Sequence, residues 1–222
     1  MLVLGLDSAG RGASAALLRG GALVAARDAA ADRGQAEILL PMIAAVLKDG
    51  GTDPMGLDLI ATTTGPGSFT GLRIAIATAR GLALAAGVPA TGVSRLAAVA
   101  ARFPPGHREG RGLLVALDTR RDDFFLQLFT ATAQDPYLAG AETAARILPE
   151  IPLLVAGDAA PRLAAALPGR DIVVASGFDF PCAAEAARLA AAACARGETA
   201  IPPRPFYLRA PDTTLPRRAA PS

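Results

Sequence analysis

The chain is poor in the side chains that carry most proton and metal chemistry. His107 is its one histidine, Lys48 its one lysine, and Cys182 and Cys194 its two cysteines. One histidine rules out a histidine-pair metal site, and no Cys/His cluster has the spacing of a zinc site. Ser8, Ser14, Ser68 and Ser94 have no histidine partner by motif, and His107 sits beside Pro104-Pro105-Gly106. The pattern therefore gives no support to a Ser-His-Asp triad. A catalytic lysine would have to be Lys48, at the expected end of a helix. The two cysteines are twelve residues apart in one helical stretch, too far to bridge at a rise of about 1.5 Å per residue. They read as buried thiols of a reducing compartment.

Charge of one sign is also lacking. The formal net charge is +2, and aromatic residues make up 5%. Such a chain has no global field that would bind nucleic acid by charge. Arg120, Arg121, Arg217 and Arg218 give tRNA at most auxiliary contacts. Long uncharged apolar runs are missing too: Arg80 breaks the best one, and Asp7 interrupts the first, which has no basic leader. The expectation is a soluble cytoplasmic protein with no membrane segment.

What is present is apolar and patterned. Hydrophobic residues make up 52% of 222 residues, enough for one large or two small cores. Met1 to Leu6, Ala13 to Leu18 and Ala22 to Arg27 read as three antiparallel strands, the last two joined at Gly20-Gly21. Gln35 to Lys48 reads as a helix with a wide apolar face, and Pro41 inside it should kink it or remove a bond. A buried strand from Leu57 to Thr64 follows. Then come a glycine turn, a helix from about Thr70 to Ala86, and a helix from Ser94 to Phe103 capped by Ser94.

After Phe103-Pro104-Pro105-Gly106 the pattern restarts. Gly112 to Asp118 and Phe124 to Thr130 read as strands around a turn at Thr119 to Asp123. LVLGLDS at Leu2 to Ser8 and LLVALDT at Leu113 to Thr119 begin the two halves alike, as one fold used twice. Leu153 to Ala156 and Ile172 to Ala175 read as short strands, and Ala183 to Arg196 as an alanine-rich helix. The expected units are 1–103, 109–200 and a proline-rich segment 201–222. In that segment Phe206 and Tyr207 anchor to the body and the closing RRAAPS is expected to be disordered.

The stretch TTTGPGSFTGLRIAIATAR, from Thr62 to Arg80, poses the functional question. A phosphate loop needs G-x-x-x-x-G-K-[ST], but here Gly67 and Gly71 are too close and Leu72-Arg73 stands in place of Lys-Ser/Thr. Gly65, Gly67 and Gly71 miss the dinucleotide spacing by one residue. A tight strand-to-helix corner, with Pro66 fixing φ and Ser68 or Thr70 as cap, explains the glycines without a ligand. The helix that follows is apolar or small on almost every face. Such a helix is covered all round, by its own chain or by a partner helix packed closely on its small residues. Both readings stand on pattern alone. Arg73 and Arg80, two turns apart, would rim a partner contact.

Asp7 ends a strand before the turn SAGRGAS. It suits either an Asx turn or a metal-holding aspartate of a phosphotransferase. The equivalent second turn, TRRDD, has no glycine and two acids. A two-lobed phosphate clamp would thus have lost at least one half, and no carboxylates form a catalytic pair.

Taken together, LDSAGRGASAAL, GQAEILLPMI, TTTGPGSFTGLRIAIATARGLAL, GVSRLAAVA, LVALDTRRDDFFLQLF and FYLRAPD resemble the TsaB (YeaZ) family of tRNA threonylcarbamoyladenosine biosynthesis. The resemblance covers nearly the whole chain and is weakest from Thr132 to Gly169. It implies an α/β fold of two ribonuclease-H-like lobes of the actin, Hsp70 and sugar-kinase type, the second degenerate. It implies a non-catalytic subunit with no cofactor. That subunit would act with a TsaD-like catalytic subunit and a TsaE-like ATPase, meeting tRNA only through the complex. Catalytic relatives carry an H-x-x-x-H metal motif on a helix that here reads GQAEILLPMI, without histidine. Family members pair through the first-lobe helices, with themselves or with TsaD. The implied interface residues here are Gln35, Leu39, Met42, Ile43, Phe69, Arg73, Ile76, Ala79 and Arg80. A charge at Ile76 or Ala79 is expected to block pairing and leave the monomer folded. The competing readings are a stand-alone kinase-like ATP-binding enzyme and a glycoprotease.

Overall fold

The structure, a computed structural model, describes residues 1–31, 34–175 and 182–209. The apolar start of the chain builds a meander: β1 (Leu2–Asp7), β2 (Ala13–Arg19) and β3 (Ala22–Ala29), all antiparallel. The β2–β3 hairpin turns at Gly20 and Gly21, whose φ values of 58° and 87° favour glycine. Helix α1 (Gln35–Asp49) leads to β4 (Leu59–Thr63), which pairs parallel to β1. Helix α2 (Phe69–Ala86) leads to β5 (Ala90–Val93), parallel to β4, and α3 (Arg95–Ala100) follows. The sheet order is β3-β2-β1-β4-β5.

The second half repeats this. Strands β6 (Gly112–Asp118), β7 (Asp123–Phe129) and β8 (Tyr137–Gly140) form an antiparallel meander. Helix α4 (Ala141–Ile147), β9 (Leu153–Ala156), α5 (Ala160–Ala165), β10 (Ile172–Val174) and α6 (Ala183–Ala195) complete it. The order β10-β9-β6-β7-β8, with β9 parallel to both β6 and β10, is the first sheet's order read from the other edge. The Leu-Asp repeat in the sequence marks this duplication: Asp7 closes β1 and Asp118 closes β6.

Alternation along β1 decides which face meets which helix. Leu2, Leu4 and Leu6 pack with Leu39, Ile43 and Val46 of α1 and with Ala79 and Ala83 of α2. Val3, Leu18, Leu59 and Ala61 face the other way, onto Ala187 and Ala190 of α6. Each fully buried leucine contributes about 1.5–3 kcal/mol, so the side chains of α1 that face the sheet fix its orientation. The alanines of α6 allow a very close approach: a Cβ on Gly5 would fall 2.0 Å from the Ala183 carbonyl oxygen. In the matching exchange, Leu96, Val99 and Phe103 of α3 and its exit pack on Leu113, Val115 and Leu117 of the second sheet. Each lobe thus lends the helix after its fifth strand to the contact between sheets. Arg102, just past the end of α3, pairs with Glu185 of α6 at 3.2 Å.

Sequence and structure differ in places. β5 and β8 have four residues each and, apart from Ala139, are only half-buried, so they carry no strong alternation. Helix α3 stops at Ala100, because Arg102 and Phe103 donate to carbonyls three residues back ahead of Pro104. At Pro41 the two agree: it lies inside α1 and, having no N–H, leaves one helix bond unmade.

Candidate functional site: the interlobe cleft and the α1–α2 face

A cleft of about 500 Å³ lies between the lobes. It is bounded by the turn after β1 (Ala9, Gly10, Arg11), the start of α2, the turn after β6 (Asp118 to Arg121), Asp158, and Phe206 to Arg209. The glycine turn borders it, but its glycines serve packing. A Cβ on Gly71 would meet the Ser8 carbonyl oxygen at 1.9 Å, and one on Gly67 the Ala9 oxygen at 2.3 Å. Ser68 N donates to the Ala9 oxygen at 2.8 Å, and Ser8 Oγ to the Gly71 oxygen at 2.7 Å. The two turns are pressed together backbone on backbone. Ser68 caps α2 by accepting from Gly71 N, the peptide before Pro66 is cis, and Ser94 caps α3 through Ala97 N.

At the floor of the cleft Asp7 is wholly buried and fully engaged. Its Oδ1 accepts from Ala9 N at 2.9 Å, the Asx turn the sequence suggests, and from Thr63 Oγ1 at 2.5 Å. Its Oδ2 accepts from Cys182 N at 2.8 Å. Arg95, 2% exposed, reaches between the lobes: its Nε lies 3.9 Å from Asp7 and its Nη2 3.3 Å from Asp158. Burial disfavours the charged guanidinium, but Asp158 and Asp7 outweigh it and raise the Arg95 pKa. The Cys182 thiol is pushed up to about 12, first by burial and then by Asp7.

The second turn is equally committed. Asp158 Oδ1 accepts from Asp118 N at 2.7 Å, and Asp118 Oδ1 from Arg120 N at 2.9 Å and Arg162 Nη2 at 3.0 Å. Thr119 Oγ1 donates to Asp123, and Arg209 ion-pairs with Asp123. Burial works against the Asp123 carboxylate, yet its bonds from Arg209 and Thr119 hold its pKa below the usual range. Among the described residues no three His, Cys, Asp or Glu side chains gather as a metal site. His107 is exposed on a short turn at Pro105–His107.

The nine residues singled out from the resemblance divide by burial. Gln35, Leu39, Met42, Ile43, Ile76 and Ala79 are at most 9% exposed and point into the chain's own core; Gln35 Nε2 also donates to the Ala31 oxygen. A charge at Ile76 or Ala79 would therefore break the fold before it tested a surface. Phe69, Arg73 and Arg80 are exposed, and the outward stripe of α2 continues through Ala77, Gly81 and Leu84. On α1 the outward side shows Leu40, Pro41 and Ala44. Leu84 is 86% and Leu40 55% exposed. By length and composition α2 could cross a membrane; here Leu72, Ala75 and Ala79 are buried in the fold. The pattern alone did not single out Arg95, Asp158 or the Arg209–Asp123 pair, because each joins residues far apart in the chain. Arg217, Arg218, the closing RRAAPS and the end of FYLRAPD lie outside the described residues.

Two ribonuclease-H-like lobes with matching strand order define an α/β protein of the actin, Hsp70 and sugar-kinase type. The (R)-2-hydroxyglutaryl-CoA dehydratase component A of Acidaminococcus fermentans shares this fold alone, at TM-score 0.54 and 12% identity over 85% of this chain and 97% of that one. The family model for TsaD, tRNA N6-adenosine threonylcarbamoyltransferase, matches residues 29–151, more than half of the chain. The tRNA threonylcarbamoyladenosine biosynthesis protein TsaB of Escherichia coli K12 is 34% identical over 151 residues, 68% of this chain and 64% of that protein. This chain thus spans just under two thirds of that curated relative. The solved YeaZ of Pseudomonas aeruginosa superposes at TM-score 0.79 with 29% identity, covering 93% of this chain and 99% of that one. The chain belongs to the TsaB/YeaZ family, within the group that the TsaD model describes.

Proposed function

We propose that this chain is the non-catalytic subunit supporting threonylcarbamoyl transfer to the adenosine next to the anticodon of tRNA. It binds a TsaD-type catalytic subunit through the outward faces of α1 and α2, works with a TsaE-type ATPase, and acts in the cytoplasm. It meets tRNA only through that assembly. The observation that carries this reading is the state of Asp7. The strand-end carboxylate where the lobes meet spends both oxygens on Ala9, Thr63 and Cys182 and faces Arg95. A carboxylate that accepts three hydrogen bonds, out of about four it can take, and lies against a buried guanidinium serves to hold the fold. The exposed apolar stripe of Ala77, Leu84, Leu40 and Ala44 supplies the contact instead. In isolation the same face would pair two copies of the chain.

Reconstitution tests the reading. This chain, a TsaD-type transferase and a TsaE-type ATPase of the same organism are combined with tRNA, ATP and an activated threonylcarbamoyl donor, and modified adenosine is read by mass spectrometry. Product is expected only with all three present. Transfer by this chain alone, or a transferase equally active without it, would overturn the proposal.

A further inference from the structure

The segment after α6 crosses from one lobe to the other. Gly92 N of β5 donates to the Ile201 oxygen at 3.2 Å, and Phe206 N donates to the Thr64 oxygen at 2.8 Å, fixing the segment along the first lobe. Leu208 then packs on the cluster where α3 meets the second sheet, and Arg209 pairs with Asp123 at the start of β7. Between these anchors Tyr207 meets Phe69, ring centroids 5.5 Å apart at 30°. Phe69 is the first residue of α2 and also lies under Arg73, 3.8 Å from ring centre to guanidinium. Phe206 to Arg209 form one wall of the cleft, so the strap spans the gap that Arg95 bridges at the floor.

We propose that residues 201–209 are an interlobe latch, and that Tyr207 is a positioning residue coupling the latch to the outward stripe of α2 through Phe69. The floor tie is buried and permanent. The strap's ties are two backbone bonds, the half-buried Leu208 side chain, a partly exposed ring contact and a partly exposed ion pair, each weak alone and able to release without unfolding either sheet. Release at the second lobe would loosen the first turn of α2, and a change at Phe69 would loosen the turn after β6. The importance of this for partner engagement rests on the proposed interface; the coupling itself does not.

Hydrogen exchange on the full chain, without any partner, separates the two. In Tyr207→Ala, amides of Phe69 to Leu72 and of Thr119 to Asp123 are expected to exchange about fivefold faster or more. Tyr207→Phe, which keeps the ring, should match the parent. Arg209→Gln, a milder surface change, should speed the same two regions by freeing the far anchor. Faster exchange confined to 201–209, or to one lobe only, or equal effects of Tyr207→Phe and Tyr207→Ala, would overturn the proposal.

Discussion

Arg95 places one buried guanidinium between two carboxylates, 3.3 Å from Asp158 of the second lobe and 3.9 Å from Asp7 of the first. The longer contact is an ion pair and not a hydrogen bond, and Arg95 Nε has no hydrogen-bond partner among the described residues. Removing one member of such a buried set leaves charge without compensation. Arg95→Met is expected to cost about 3–5 kcal/mol in urea unfolding. Adding Asp158→Asn should recover part of that loss. A loss below about 1 kcal/mol would show that the tie is not structural.

The Asp123–Arg209 pair gives a pH signature. The folded pKa of Asp123 lies below its ordinary 3.8, held there against burial by Arg209 and Thr119. Its contribution is therefore complete above 3.8 and is lost as pH falls through the lower folded value. The stability difference between the parent and Asp123→Asn should be flat from pH 7 to 5 and shrink at the acid end. A difference that grows toward low pH would contradict the assignment.

The two thiols should separate by accessibility. Cys182 is buried, with its pKa near 12, and Cys194 is half-buried on α6. Thiolate is the reactive form, so Cys182 should resist alkylation at pH 8 in the folded chain. Mass spectrometry after brief labelling should find at most one modified cysteine, Cys194, and two after denaturation. Native labelling of Cys182 would mean that the floor of the cleft opens.

The outward and inward faces of α2 should respond differently to charge. Leu84→Arg should change monomer stability by no more than about 0.5 kcal/mol while sharply weakening partner binding. Ala79→Arg puts an unpaired charge into a wholly buried site and should not fold. Circular dichroism melts of the two variants decide this.

Local chemistry made much of this legible. Alternation in LVLGLD and GLLVALD, Gly20-Gly21 and the caps Ser68 and Ser94 each specify their own element. The short strands β5 and β8 carry no such signal. The exchange of α3 and α6 between lobes was hidden because an apolar helix face does not name the sheet it covers. For the same reason the pattern marked α2 as apolar or small on almost every face without telling Ala79, in the core, from Leu84, in solvent. Gly67 and Gly71 read as a tight corner that needs no ligand, but the pattern did not name the close neighbours that demand glycine there, Ser8 and Ala9, some sixty residues earlier in the chain.

Light scattering coupled to size exclusion tests the central claim most directly, with this chain, a TsaD-type transferase of the same organism, and their mixture. The account requires a one-to-one complex with the parent chain and its loss with Leu84→Arg. Separate elution of the two proteins, or a Leu84→Arg chain that binds as well as the parent, would contradict it.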